Sequence, residues 1–127
     1  MVSVLSSETG KFMCVIAGTG SIGQRHVRIL SASGKADVYA FPVHPQRLSE
    51  IQDAKIQMIE NWKQVRDLGV THAIIATDTR RHADDVKSAF DAGCHVLVEK
   101  PMTINVTTAQ QVAQLAKQSN LNLRDLC

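Results

Sequence analysis

No apolar stretch in this chain approaches the roughly 20 residues that a membrane span needs. Met1 to Lys11 have no basic start followed by an apolar core, so they do not make a secretory signal, and residues 1–11 are expected as a polar leader. Excess charge is missing too: 14 Lys and Arg against 12 Asp and Glu leave a net +2. That is too little to argue for a nucleic-acid partner. Cysteine is scarce. Cys14, Cys94 and Cys127 are odd in number and far apart, which excludes a disulfide framework and any metal-ligand spacing. Cys14 falls inside a predicted strand and Cys94 at the entry to another, so both are expected as small core residues rather than nucleophiles. Reduced thiols fit a cytoplasmic protein. There is no internal repeat and no low-complexity segment. What is present is an ordinary globular composition, 44% hydrophobic and 20% charged over 127 residues. This predicts one folded domain over residues 12–127 with a real core.

The organising stretch is Phe12 to Gly23, FMCVIAGTGSIG. Phe12 to Ala17 is an apolar run suited to a buried strand. Gly18-Thr19-Gly20-Ser21-Ile22-Gly23 follows as G-x-G-x-x-G. Gly23, Val27 and Leu30 then recur at helical spacing. Strand, glycine turn and helix in that order make a dinucleotide-binding fingerprint rather than an arbitrary glycine-rich turn. Gly18 permits the tight turn, Gly20 lets backbone approach a pyrophosphate, and Gly23 lets the helix sit close on the strand. The backbone of Gly18, Gly20, Ser21, Ile22 and Gly23 is therefore the expected cradle, with the helix N-terminus facing the phosphates.

Further along, Ser33-Gly34-Lys35 stops the first helix. Ala36 to Phe41 predicts a second strand, which Pro42 and Pro45 cannot continue. Gln46 to Ala54 predicts a short helix and Ile56 to Ile59 a brief third strand. Asn61 to Gln64 has capping-box spacing ahead of a helix carrying Val65 and Leu68 to a Gly69 stop. His72 to Thr77 predicts a fourth strand, apolar enough to be buried on both faces. The helix after Asp78 to His82 is expected to turn Ala83, Val86, Phe90 and Gly93 inward and Asp84, Asp85, Lys87 and Asp91 to water. His95 to Val98 predicts a fifth strand. Thr107 to Gln110 again has capping-box spacing, before a helix burying Ala109, Val112, Ala113 and Ala116. Leu121 and Leu123 alternate in the manner of a candidate sixth strand. Strands alternating with helices imply an α/β doubly wound parallel sheet, a Rossmann fold of strand order 3-2-1-4-5 with that possible sixth.

The runs GTGSIGQRH and ATDTRRHADDVKSAFDAGCHVLVEKPM resemble the N-terminal domain of the glucose-fructose oxidoreductase, inositol dehydrogenase and rhizopine-catabolism (Gfo/Idh/MocA) family. The resemblance covers residues 12 to 118. AGCHVLVEKPM is its specific part. It implies NAD or NADP as cofactor and hydride transfer to or from a sugar, cyclitol or related small molecule. It implies that Lys100 of Glu99-Lys100-Pro101 lies near the nicotinamide and is catalytic, with Glu99 positioning Lys100 or the ribose. It implies a second α+β domain that contacts the substrate and is absent from this chain, so that these 127 residues alone are expected to be inactive.

The motifs all follow strand ends, where ligands of open parallel sheets bind. Gly18 to Gly23, His44 and Arg47, Thr77 and His82, and Glu99 to Pro101 should converge on one edge. Lys100 could polarise a substrate oxygen there. His82 is expected near the cofactor or as a structural histidine; Arg25 and His26 lie on the first helix; His95 starts a strand at the opposite end. One departure from the family stands out. Residues 41–47 contain no Asp or Glu, where many members place a carboxylate for the adenosine ribose. His44 and Arg47 in that loop tilt the expectation slightly to NADP. A non-catalytic dinucleotide-binding or sensing module is the competing reading, with a fragment that no longer binds a cofactor behind it. Glu99-Lys100-Pro101 favours the enzyme, because a sensor needs no lysine at the nicotinamide end.

Overall fold

A computed structural model describes residues 11–41, 56–100 and 106–126. Its elements are β1 (Phe12–Ala17), α1 (Ser21–Ser33), β2 (Ala36–Phe41), β3 (Gln57–Met58), α2 (Trp62–Leu68), β4 (His72–Ile75), α3 (Thr79–Asp91), β5 (His95–Glu99), α4 (Val106–Ser119) and β6 (Leu123–Leu126). The six strands form one sheet in the order β3-β2-β1-β4-β5-β6. Every pairing is parallel. The predicted order holds, and the candidate sixth strand exists.

Alternation along the strands builds two cores. Val15, Ala17, Ala73, Ile75, Val96 and Val98 face one way and meet Val65 of α2, Val86, Ala89 and Phe90 of α3, and Val112 and Ala116 of α4. Cys14, Ile16, Val38, Ala40 and Ile74 face the other way and meet Val27 of α1. β1 and β4 are thus buried on both faces, and each fully buried Val or Ile there stabilises the fold by roughly 1.5–3 kcal/mol. Burial pushes both described thiols up to about 12, the neighbouring Cys94 adding to the effect at Cys14. The Cys94 Sγ–H donates to the Val70 carbonyl at 3.2 Å. These are core groups, not nucleophiles.

The helix ends follow their residues. Gly34 (φ 69°) and Gly69 (φ 76°) take the left-handed conformation at the C-caps of α1 and α2. The Asn61 side chain accepts from the Gln64 N–H at 2.9 Å. The Gln64 side-chain carbonyl accepts from the Glu60 N–H at 2.6 Å rather than from Asn61, one residue earlier than a reciprocal capping box would have it.

Several expectations need correction. β3 is two residues, and β4 ends at Ile75, where the chain leaves the sheet at Ala76 and Thr77 to make the turn beside Gly18. Asp85 is buried, not solvated, and so are His82 and Ala89, whereas Gly93 is exposed. Leu68 and Ala113 are exposed. α4 begins at Val106, so Thr107 lies within its first turn and is not the cap. The helix expected over Gln46 to Ala54 and the leader up to residue 10 lie outside the described residues. Among the described residues no helix is long and apolar enough to cross a membrane.

Candidate functional site

The sheet changes winding direction at β1, which pairs with β2 on one side and β4 on the other. The crevice beyond the carboxyl ends of these strands is where such folds hold ligands. Three segments border it: the glycine turn, the turn after β4, and the end of β5.

In the glycine turn the three glycines have different physical reasons. Gly18 has φ +98°, and a Cβ there would lie 2.7 Å from the Ala76 carbonyl oxygen. Its N–H donates to the Phe41 carbonyl at 2.9 Å, while the Ala76 N–H donates to the Ala17 carbonyl at 2.8 Å. β1 therefore hands over to the turn between two fixed backbones. A Cβ on Gly23 would lie 1.7 Å from the Gly18 carbonyl oxygen, so α1 sits as close as glycine allows. Gly20 differs from both. It is the N-cap of α1 with φ −73° and ψ −166°, a region open to any residue, and a Cβ there meets nothing within 4 Å. The fold does not require glycine at 20, whereas a ligand pressed against the backbone would.

The helix start is equipped for an anion. No side chain caps α1 at Gly20 and no acidic residue stands in the first turn, so the free N–H groups and the positive end of the helix dipole face the crevice. Ser21 and Ile22 are exposed beside it. The Gln24 side-chain amide donates to the Thr19 carbonyl at 2.8 Å and braces the turn from behind. The buried Thr19 hydroxyl has no partner among the described residues. Open space over Gly20 and uncapped amides fit the phosphates of a dinucleotide.

The second wall is Thr77, held at both ends by α3. His82 donates from Nε2 to the Thr77 carbonyl at 2.6 Å. The Thr77 hydroxyl donates to Asp85 Oδ2 at 2.7 Å, and Arg81 Nε lies 3.6 Å from the same oxygen. His82 is 2% exposed, so its link to the crevice runs through Thr77. Helical spacing alone read Asp85 as a surface charge. The signal that could have found it is its place three residues after His82, on the same helix face as Val86 and Ala89.

The third wall is Glu99, the last residue of β5, with Lys100 exposed just beyond. Glu99 bonds His26 of α1, Nε2 to Oε1, at 2.6 Å. Sequence reasoning gave His26 no task. Its signal was its offset from Gly23 and Leu30, which puts it on the inward stripe of α1. His44, Arg47 and Pro101 lie outside the described residues. Among the described residues no group of three or more His, Cys, Asp or Glu could hold a metal.

A groove of about 480 Å³ lies at the other end of the sheet, lined by Phe12, Leu30, His72, His95, Leu97 and Arg124 among others. His95 is thus remote from the crevice, as expected. His72 beside it has its pKa lowered by partial burial and by His95.

Residues 12–124 match the family model described as an oxidoreductase family with an NAD-binding Rossmann fold. Biliverdin reductase A of Homo sapiens is 29% identical over 119 residues, covering 91% of this chain and 39% of the relative. The scyllo-inositol 2-dehydrogenase (NAD(+)) of Bacillus subtilis (strain 168) is 26% identical over 113 residues, covering 85% of this chain and 33% of the relative. Among solved structures, an NAD-binding protein from Listeria innocua superposes with a TM-score of 0.81 at 27% identity, over 91% of this chain and 35% of that one. The chain therefore spans well under half the length of the proteins it matches.

Proposed function

Because the chain belongs to this oxidoreductase family with its NAD-binding Rossmann fold, we propose that it is the dinucleotide-binding part of an NAD(P)-dependent enzyme acting on a sugar, cyclitol or related small molecule. The observation that carries the reading is Gly20: a glycine with an ordinary backbone and empty space before it, at the uncapped start of α1. The N–H groups from Gly20 to Gly23 would hold the pyrophosphate, with Thr77 as the opposite wall. The cofactor, when bound, would supply the hydride acceptor or donor. Lys100 would hold the substrate hydroxyl or carbonyl oxygen and carry its proton, a role that favours an enzyme over a sensing module. Calorimetric titration of the chain with NADH and NADPH tests this. Weak, saturable binding is expected, and no binding of either overturns it. Scyllo-inositol 2-dehydrogenase, among the relatives, supports the cyclitol class, while biliverdin reductase A makes biliverdin a second substrate to try.

Lys100 gives the sharper test of chemistry. In a protein that carries the substrate-binding part as well, Lys100→Ala should lower kcat by on the order of a hundredfold. Its cofactor Kd should stay within about threefold, since the lysine works in the transition state. An unchanged kcat would remove Lys100 from the mechanism.

Cofactor choice turns on residues 41–47, which carry His44 and Arg47 and no carboxylate. A carboxylate there would accept from a 2′-hydroxyl and repel a 2′-phosphate. A guanidinium suits the phosphate dianion. The domain is therefore expected to take NADP at least as well as NAD. Arg47→Ala should weaken NADP about tenfold or more, on a contact of roughly 1.5–3 kcal/mol, and leave NAD alone. A clear NAD preference, unchanged in Arg47→Ala, would defeat this.

A further inference from the structure

One bond reaches across the crevice. His26 Nε2 lies 2.6 Å from Glu99 Oε1, and the two side chains are 22% and 24% exposed. α1 otherwise packs over β1, β2 and β4, through Val27 in a cluster with Cys14, Ile16, Val38 and Ile74, while β5 lies beyond β4 in the sheet. The end of β5 needs such a hold. β4 pairs with β5 only as far as Ile75 opposite Val98, so Glu99 has a strand partner on the β6 side alone, at Leu126. His26 holds the Glu99 side chain from the face of the sheet that α1 covers. The bond forms with either state of the imidazole, since neutral Nε2–H donates to the carboxylate and an imidazolium adds an ion pair. The close seat of α1, fixed by Gly23 against the Gly18 carbonyl, brings His26 within reach.

We propose that His26 is a positioning residue of the dinucleotide site: by clamping Glu99 it holds the end of β5 in place as the wall of the crevice that the nicotinamide ring lies against. This rests on the reading that the crevice binds a dinucleotide. With its pyrophosphate on the glycine turn, such a ligand sends its adenosine toward β2, where these folds read the ribose. Its other half extends toward β4 and β5. The clamp therefore serves the nicotinamide ring and not the second ribose, the phosphates or the adenosine.

ADP-ribose isolates the nicotinamide ring, because it keeps the adenosine, the pyrophosphate and the second ribose and lacks only the nicotinamide. In calorimetric titrations at one salt concentration the parent chain should bind NADH more tightly than ADP-ribose. His26→Leu should weaken NADH about tenfold, the scale of one charge-assisted hydrogen bond, and ADP-ribose by less than about twofold. His26→Gln, whose amide N–H reaches as far as Nε2–H, should recover most of the loss. Glu99→Leu should lose as much, and the double variant no more than Glu99→Leu alone. If His26→Leu fails to fold, the Gln and Glu99 variants carry the same comparison, and equal losses of both ligands in them overturn the proposal. Equal weakening of both ligands by His26→Leu would make His26 a mere seat for α1, and no effect on either would make it idle; each result overturns the clamp. A parent that binds ADP-ribose and NADH equally sinks the clamp while the site stands. A parent that binds neither sinks both.

Discussion

Gly23→Ala is expected to lower the melting temperature by roughly 10 °C or more, or to prevent folding. The added Cβ would lie 1.7 Å from the Gly18 carbonyl oxygen, far inside van der Waals contact. That oxygen has nowhere to go. Gly18 already sits at φ +98° with Ala76 beneath it, and its N–H is tied to Phe41. Relief must come from lifting α1 off the sheet, which opens the packing of Val27 on Ile16 and Val38. Overpacking against side chains usually costs about 1–3 kcal/mol; against pinned backbone the upper end or beyond is expected. Helix propensity alone predicts the opposite sign, since alanine in a helix is favoured over glycine by about 1 kcal/mol. The direction of the change in a thermal melt therefore decides between the two effects. A variant as stable as the parent would mean that α1 sits further from β1 than described.

The difference between what the residues announce and what they conceal lies in range. β1, α1, β2, α3 and β5 are legible because period-two and helical apolar patterns are local, and glycines mark the stops. β3, two residues long, leaves too little pattern to bound. Asp85 misleads because a charge on an amphipathic helix is read as outward; its burial is tolerated because Thr77, eight residues earlier, supplies a hydroxyl and Arg81 lies 3.6 Å from the same oxygen. Ala113 misleads because alanine carries little preference for either face. The His26–Glu99 bond joins residues 73 apart, and no periodicity encodes that. Sequence can name the glycine motif. Only the structure shows that Gly18 and Gly23 are needed by the fold while Gly20 is not.

That last distinction carries the second large effect. Gly20→Val should leave the chain folded and abolish cofactor binding. Gly20 lies at φ −73° and ψ −166°, where a branched residue is comfortable, and nothing stands within 4 Å of a Cβ placed there. The one local penalty is that valine is a poorer N-cap than glycine, on the order of 1 kcal/mol, so the melting temperature should fall by a few degrees at most. The ligand side differs entirely. The two valine methyls would fill the space before the free N–H groups of the first turn of α1. Phosphate oxygens must come within about 3 Å of those groups to bond. A loss of at least about a hundredfold in NADH affinity is expected, equivalent to roughly 2.7 kcal/mol. Gly20→Ala, with one methyl, should fall between valine and the parent. Calorimetry and a thermal melt on the same preparations separate binding from folding. The prediction is a dissociation of the two between positions: Gly23→Ala loses the fold, and Gly20→Val loses the ligand. Binding by Gly20→Val equal to the parent's would mean that the phosphates do not lie over this turn, and the helix N-terminus would have to be given up as their site.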